Sequence, residues 1–244
     1  MKVLATLLMA LTIASSTAQD RGTIIYEEDM TFNLPPEVAV MFKDAPKSRQ
    51  KKMILSWDGS QVSYITDPAK QDERSVKRRG NAMMIRGNRK TTKYYNYEIG
   101  TMLEEREMMG KEFSIKDSIP EIKWKVDVAN QRDILGYTCM RASTTVDTIE
   151  VVAWWTPQIQ TSYGPDGFGG LPGAVLALGY GADKAILAQN IQLHADSTAE
   201  VVILTEKKST MERADFDIKM EKRKEEMRKM WSGNRKRRDM RQGR

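Results

Sequence analysis

The sequence predicts a mainly β protein, a curved antiparallel meander sheet left open like a bowl or half-barrel, followed by a basic C-terminal α-helix. Three observations predict it. Apolar and polar residues alternate at period two through most of residues 23–204, the mark of strands with one buried face. The alternating runs are short, bounded by Gly, Pro, Asp or Asn, and separated by no helical run that could make a parallel crossover. From Ser209 to Trp231 the composition then changes to Glu, Lys, Arg and Met with neither Gly nor Pro, a run of good helix formers.

The elements follow in order. Thr23 to Glu28 opens the sheet, and Lys52 to Trp57 with Gln61 to Thr66 flank Asp58-Gly59-Ser60, a strong hairpin signal. Further strands are expected at Thr91 to Ile99, Thr101 to Met109, Glu112 to Ile115, Ile122 to Val128, Tyr137 to Thr145 and Thr148 to Thr156. After a Gly- and Pro-rich loop come Ala174 to Tyr180, Ala185 to Leu193 and Ala199 to Leu204. Asn33 to Gln50, with three prolines, and the polar Asp67 to Asn81 read as surface loops, because neither can bury enough apolar area to order itself. In the tail, Phe216, Met220, Met227 and Met230 recur at separations that share one helical face. The stretch after Gly233, with Arg235-Lys236-Arg237-Arg238, reads as disordered.

The first eighteen residues have the order of a secretory leader. Lys2 precedes an apolar run from Val3 to Ile13, and Ser16 and Ala18 place small side chains for cleavage after Ala18. That run is too short to span a bilayer core, which takes about 20 residues. The expected division is a leader over 1–18, a β-rich domain over 19–208, and a basic helix with a disordered tail over 209–244. Cys139 is the only cysteine, so no intramolecular disulfide is available, and it reads as a buried, inert thiol. The formal charge of +6 belongs to the tail. Lys219 to Arg244 holds twelve Lys and Arg against four Asp and Glu, which leaves residues 19–218 with 26 basic against 29 acidic. Such a tail suits an anionic lipid or lipopolysaccharide surface, and export argues against nucleic acid as a partner.

The most distinctive residues lie between Gly136 and Val175. The chain reads Gly136-Tyr137-Thr138-Cys139, then Ala153-Trp154-Trp155-Thr156, then Gly164-Pro165, and finally Gly170-Leu171-Pro172-Gly173-Ala174-Val175. In these motifs it closely resembles the GLPGLI family of exported bacterial proteins, with Trp155 in place of a Tyr and Ala174-Val175 in place of Leu-Ile. The resemblance covers most of the body and excludes the basic tail. It implies a β-rich envelope or surface protein of a two-membrane bacterium, similar to bowl-like accessory domains, and it brings no catalytic residue.

The loop Tyr163 to Gly173 packs five glycines and two prolines around large apolar side chains. Glycine permits close approach and positive φ while proline fixes the chain, so a tightly shaped loop is expected. Its first role is to turn the chain and plug the sheet with Phe168 and Leu171. Its functional role would be a ligand or partner site formed by Trp154, Trp155, Tyr163, Phe168, Leu171 and Pro172. Catalytic sets are sparse. His194 is the only histidine and sits in an alternating run, which excludes HExxH and leaves a serine triad one weak candidate. Glu27, Glu28, Asp29, Glu104, Glu105 and Asp166 could serve a carboxylate-dependent hydrolase, but adjacent acids on a strand face opposite ways, and solvated faces account for them. Sixteen methionines, including Met83-Met84 and Met108-Met109, suit soft Cu(I), although methionine also fills apolar faces. The expectation is a noncatalytic binding or accessory protein of the bacterial envelope, periplasmic or surface-exposed, with no cofactor or metal and with its ligand or partner unidentified.

Overall fold

A computed structural model describes residues 20–31, 48–70, 75–79, 82–86, 90–108, 111–193 and 200–242. The expected leader, residues 33–47 and His194 lie outside the described residues. Strand β1 (Arg21–Thr31) is central, and β2 (Ser48–Asp58) turns at Gly59 into β3 (Gln61–Thr66). The strands β4 (Ser75–Arg79) and β5 (Ala82–Arg86) form a separate hairpin. The meander then resumes outward through β6 (Thr91–Asn96), β7 (Thr101–Met108) and β8 (Lys111–Ser118).

From β8 the chain crosses to the far edge and meanders back through β9 (Lys125–Ile134), β10 (Tyr137–Val146), β11 (Ile149–Thr156), β12 (Ala174–Tyr180) and β13 (Lys184–Leu193). Strand β13 pairs antiparallel with β1 and joins the two meanders. The short β14 (Thr210–Glu212) adds to β8, and α1 (Arg213–Gln242) follows it. The result is one open twelve-stranded sheet, in the order β14-β8-β7-β6-β3-β2-β1-β13-β12-β11-β10-β9. The fold class matches expectation.

Three local expectations are corrected. The stretch expected as loop, Asp67 to Asn81, contains strand β4, which pairs antiparallel with β5. Only Val76 marked the apolar alternation of β4, too little to register against Lys77, Arg78 and Arg79. Residues 199–204 were expected as a strand, but the described part, from 200, runs across the sheet's outer face without a ladder. Its Val202 N–H donates to Ser63 Oγ at 3.1 Å. The stretch preceding the helix, expected to be helical from Ser209, pairs parallel to β8 through Thr210 opposite Ser114, the one parallel ladder among the described residues.

The register defines two faces. Ile24 and Tyr26 of β1 stand beside Leu55 and Met53 of β2, then Val62 and Tyr64 of β3 and Tyr95 of β6, all buried on the inner face. On the outer face lies the row Thr23, Ser56, Ser63, Tyr94, Leu103 and Lys116, and the strap of residues 200–207 meets it at Ser63 and Lys116. Ion pairs of Lys116 with Glu206, at 2.6 Å, and of Lys207 with Glu105 hold the strap down. Helix α1 docks by its first turn, where buried Phe216 meets Phe113 edge-on at 5.4 Å, while Ile218 is exposed.

Candidate functional site

Between β11 and β12 the chain does not turn directly. Residues 157–173 dip onto the inner face, burying Ile159 and Leu171. Backbone crowding explains the glycines here. A Cβ on Gly173 would lie 2.0 Å from the Thr156 carbonyl oxygen, and one on Gly164 would lie 1.9 Å from that of Phe168. Hydrogen bonds tie the loop and the start of β12 to distant parts of the chain. Tyr163 Oη donates to the Gly59 carbonyl at 2.7 Å, Trp124 Nε1 donates to the Gly169 carbonyl at 2.8 Å, and Tyr26 Oη donates to the Val175 carbonyl at 2.6 Å. Leu171 is buried and Phe168 packs against the core, so the loop covers part of the sheet's inner face.

At its tip Asp166 adopts φ 56°, a left-handed conformation that Asp tolerates better than most residues. It places a carboxylate between two lysines from distant strands. Lys93 of β6 reaches Oδ1 and Lys184 of β13 reaches Oδ2, both at 2.6 Å. Lys184 also stands 3.5 Å from Glu28 of β1, which faces Lys51 of β2 in register. Burial works against the Asp166 charge, but Lys93 and Lys184 outweigh it and hold the carboxyl well below the usual range. Burial pushes the Lys51 ammonium down to about 8, against the pull of Glu28.

A second cluster adjoins the first. Glu104 of β7, fully buried, stands opposite Lys93 and pairs with Arg106 at 2.5 Å and with Arg213, the first residue of α1, at 2.6 Å. Burial would raise the Glu104 pKa, but Lys93, Arg106 and Arg213 together keep it below the ordinary value. Arg213 Nε also lies 3.2 Å from Asp117 of β8. Buried glutamates correct the expectation of solvated acids. Glu28 and Glu104 do face opposite to Glu27 and Glu105, as alternation requires, but they face the inner side and are paired there.

Between the loop tip and the outward meander lies a cleft of about 240 Å³. Tyr95, Met102 and Asp117 form one cross-strand row on its floor, with Lys93, Asp166 and Ser118 around it. Tyr95 is 1 % exposed, and its hydroxyl finds no hydrogen-bond partner within the protein. Burial raises its pKa, so it stays a neutral phenol. Among the described residues, no group of three or more His, Cys, Asp or Glu is placed to hold a metal ion.

The six residues singled out from sequence do not share one pocket. Trp155 and Leu171 are buried in the core, and Pro172 is exposed. Trp154 faces the other side of β11, with the Arg132 guanidinium 3.9 Å above its ring. Tyr163 stacks on Tyr97 at 4.6 Å, and Phe168 packs edge-on against Trp124 and Tyr180. None of the six lines the cleft, whose residues sequence reasoning missed apart from Asp166. A usable signal was there, since Lys93 and Tyr95 share strand parity with each other and with the core. Cys139 is buried, with its thiol pushed up to about 11, so it stays protonated at neutral pH.

Comparison with known proteins adds a family segment and a fold. A family model described as "Protein of unknown function (Porph_ging)" matches residues 143–177, from β10 through the loop into β12. The match falls on the segment that resembles GLPGLI proteins, under a different family description. Among solved structures, the chain is similar to PNGF-II in its P21 crystal form, with a TM-score of 0.51, 12% identity and 81% of this chain covered. The C2 form gives a TM-score of 0.49, 14% identity and 79% coverage. This chain spans 32% and 31% of those chains, and the likeness is one of fold. No curated protein matches the sequence.

Proposed function

We propose that this protein is a noncatalytic binding or accessory component of the bacterial cell envelope, exported to the periplasm or surface, which holds a small ligand in the cleft beside its loop tip. The observation that carries the reading is the Tyr95 hydroxyl, buried at the cleft floor without a protein partner. Buried polar groups in folded proteins are almost always hydrogen-bonded, and of the unpartnered buried groups of Asp29, Tyr64, Tyr95 and Trp155 it is Tyr95 that lines the cleft, which supports a partner drawn from there. Export rests on the leader and on the family resemblance of the loop region.

The carboxylates argue for binding over hydrolysis. A carboxylate enzyme separates the pKa values of its two acids and raises one of them. Asp166 and Glu104 are both held low by paired cations, which suits structural anchors and supplies no proton donor near neutrality.

The test is a comparison of wild-type protein with Tyr95→Phe, both immobilised and exposed to envelope extract, with retained small molecules released by denaturation and compared by mass spectrometry. A component held by wild type and lost in the variant is expected. Identical profiles would overturn the cleft as the site. Full-length protein recovered from the cytoplasm with residues 1–18 intact would overturn export.

A further inference from the structure

Resting on the reading of this cleft as a binding site, we infer that its ligand is a neutral polyhydroxylated ring, the chemistry of a single sugar residue. The charges around the cleft are already balanced within the protein. Lys93 is paired with Asp166 at 2.6 Å, and Asp117 is paired with Arg213 at 3.2 Å. An anionic ligand meets two carboxylates in the wall, and a cationic one meets Lys93 with Arg213 behind Asp117. Each gains from one partner and loses to its neighbour.

What remains unpaired is neutral. The Tyr95 hydroxyl can both donate and accept, as can Ser118. Lys93 Nζ has donors beyond the one it gives Asp166, and carboxylate oxygens accept more than one hydrogen bond. A ring bearing several hydroxyls satisfies donors and acceptors together without adding charge. Met102 and Pro120 supply apolar wall for its C–H faces. The volume of about 240 Å³ falls below the roughly 300–1,000 Å³ of sites for drug-sized molecules, which fits one ring better than a chain of them.

Three probes with one ring and different charge test the inference: methyl glucopyranoside, glucuronate and glucosamine. The readout is the carbon-13 methyl signal of Met102 on the cleft floor, assigned through Met102→Leu. Methyl glucopyranoside is expected to shift it saturably, and the two charged rings to bind about tenfold more weakly or worse. Tyr95→Phe removes a hydroxyl with no protein partner, so its thermal midpoint is expected to stay level or rise. Its affinity for the neutral ring falls about three- to tenfold, the loss of one neutral hydrogen bond.

Equal or tighter binding of glucuronate or glucosamine would overturn the neutral class and leave the cleft a binding site. Retention from envelope extract that Tyr95→Phe abolishes, with no probe moving Met102, would overturn the ring and leave the cleft. No retention and no shift would overturn both. Neutral-ring binding that Tyr95→Phe leaves unchanged would place the ligand elsewhere and overturn the assignment.

Discussion

Asp166→Asn tests whether the loop tip is held by charge. Asparagine has the shape of aspartate and tolerates the left-handed conformation at φ 56°, so the substitution removes the charge and little else. It leaves Lys93 and Lys184, 14% and 18% exposed, without the carboxylate that both touch at 2.6 Å. Breaking a buried ion pair from one side costs about 3–5 kcal/mol. Lys184 keeps Glu28 and Lys93 keeps Glu104 across the strand pair, so the lower end, about 3 kcal/mol, is expected, a large part of the roughly 5–15 kcal/mol that holds a domain together. Urea titration followed by tryptophan fluorescence measures it.

The pH dependence carries a sign. Because the folded-state pKa of Asp166 is depressed, its contribution is whole above the unfolded value near about 4 and is lost as pH falls below that. The gap between wild type and variant should be level from pH 7 to 5 and shrink between pH 4 and 2. Adding Lys93→Met should return part of the loss, since replacing both partners is milder than stranding one. A loss below about 1 kcal/mol, or a gap that widens on acidification, would refute the reasoning.

Three further outcomes are expected. Gly173→Ala drives a Cβ into the Thr156 carbonyl and should cost about 1–3 kcal/mol or more, whereas Gly179→Ala, with nothing within 4 Å, should change the urea midpoint little. Glu104→Gln weakens the grip on Arg213, and limited proteolysis should then cut α1 free of the sheet sooner than in wild type, while loop residues 157–173 stay protected. The lowered pKa of Lys51, about 8, means that the folded state releases its proton before the unfolded chain does, so stability should rise as pH increases from 8 towards 10. Lys51→Met should flatten that rise, and an unchanged slope would count against the burial of Lys51.

The fold could be read from sequence because period-two alternation needs only local order. The Asp58-Gly59 hairpin and the strands Gln61–Thr66 and Ala174–Tyr180 emerge with the bounds expected of them. The plug could be read too, since five glycines and two prolines around Phe168 and Leu171 demand a shaped loop. Which side chains would meet the loop depends on long-range register. Asp166 finds Lys93 some seventy residues upstream and Lys184 on the strand after the next turn, and no local pattern announces either.

A weaker signal lay in strand parity. Glu28 shares parity with Ile24 and Tyr26, Lys51 with Met53 and Leu55, Lys93 with Tyr95, Glu104 with Met102, and Lys184 with Ile186. Taken one strand at a time, each charge passes for the frayed polar end of an apolar face. Ordered by the ladder, Glu104, Lys93, Lys51, Glu28 and Lys184 all fall on the inner face, where acids and bases mix around the loop tip. A charge on the buried parity of one strand is weak information, but charges on that parity in five strands of one sheet point to a shared polar centre. The aromatic residues that looked functional, Trp154 and Trp155, were conspicuous because they are large, and adjacency alone sends them to opposite faces. Parity counted across the whole meander would have moved attention from the tryptophans to Lys93 and Tyr95, the residues that meet at the cleft.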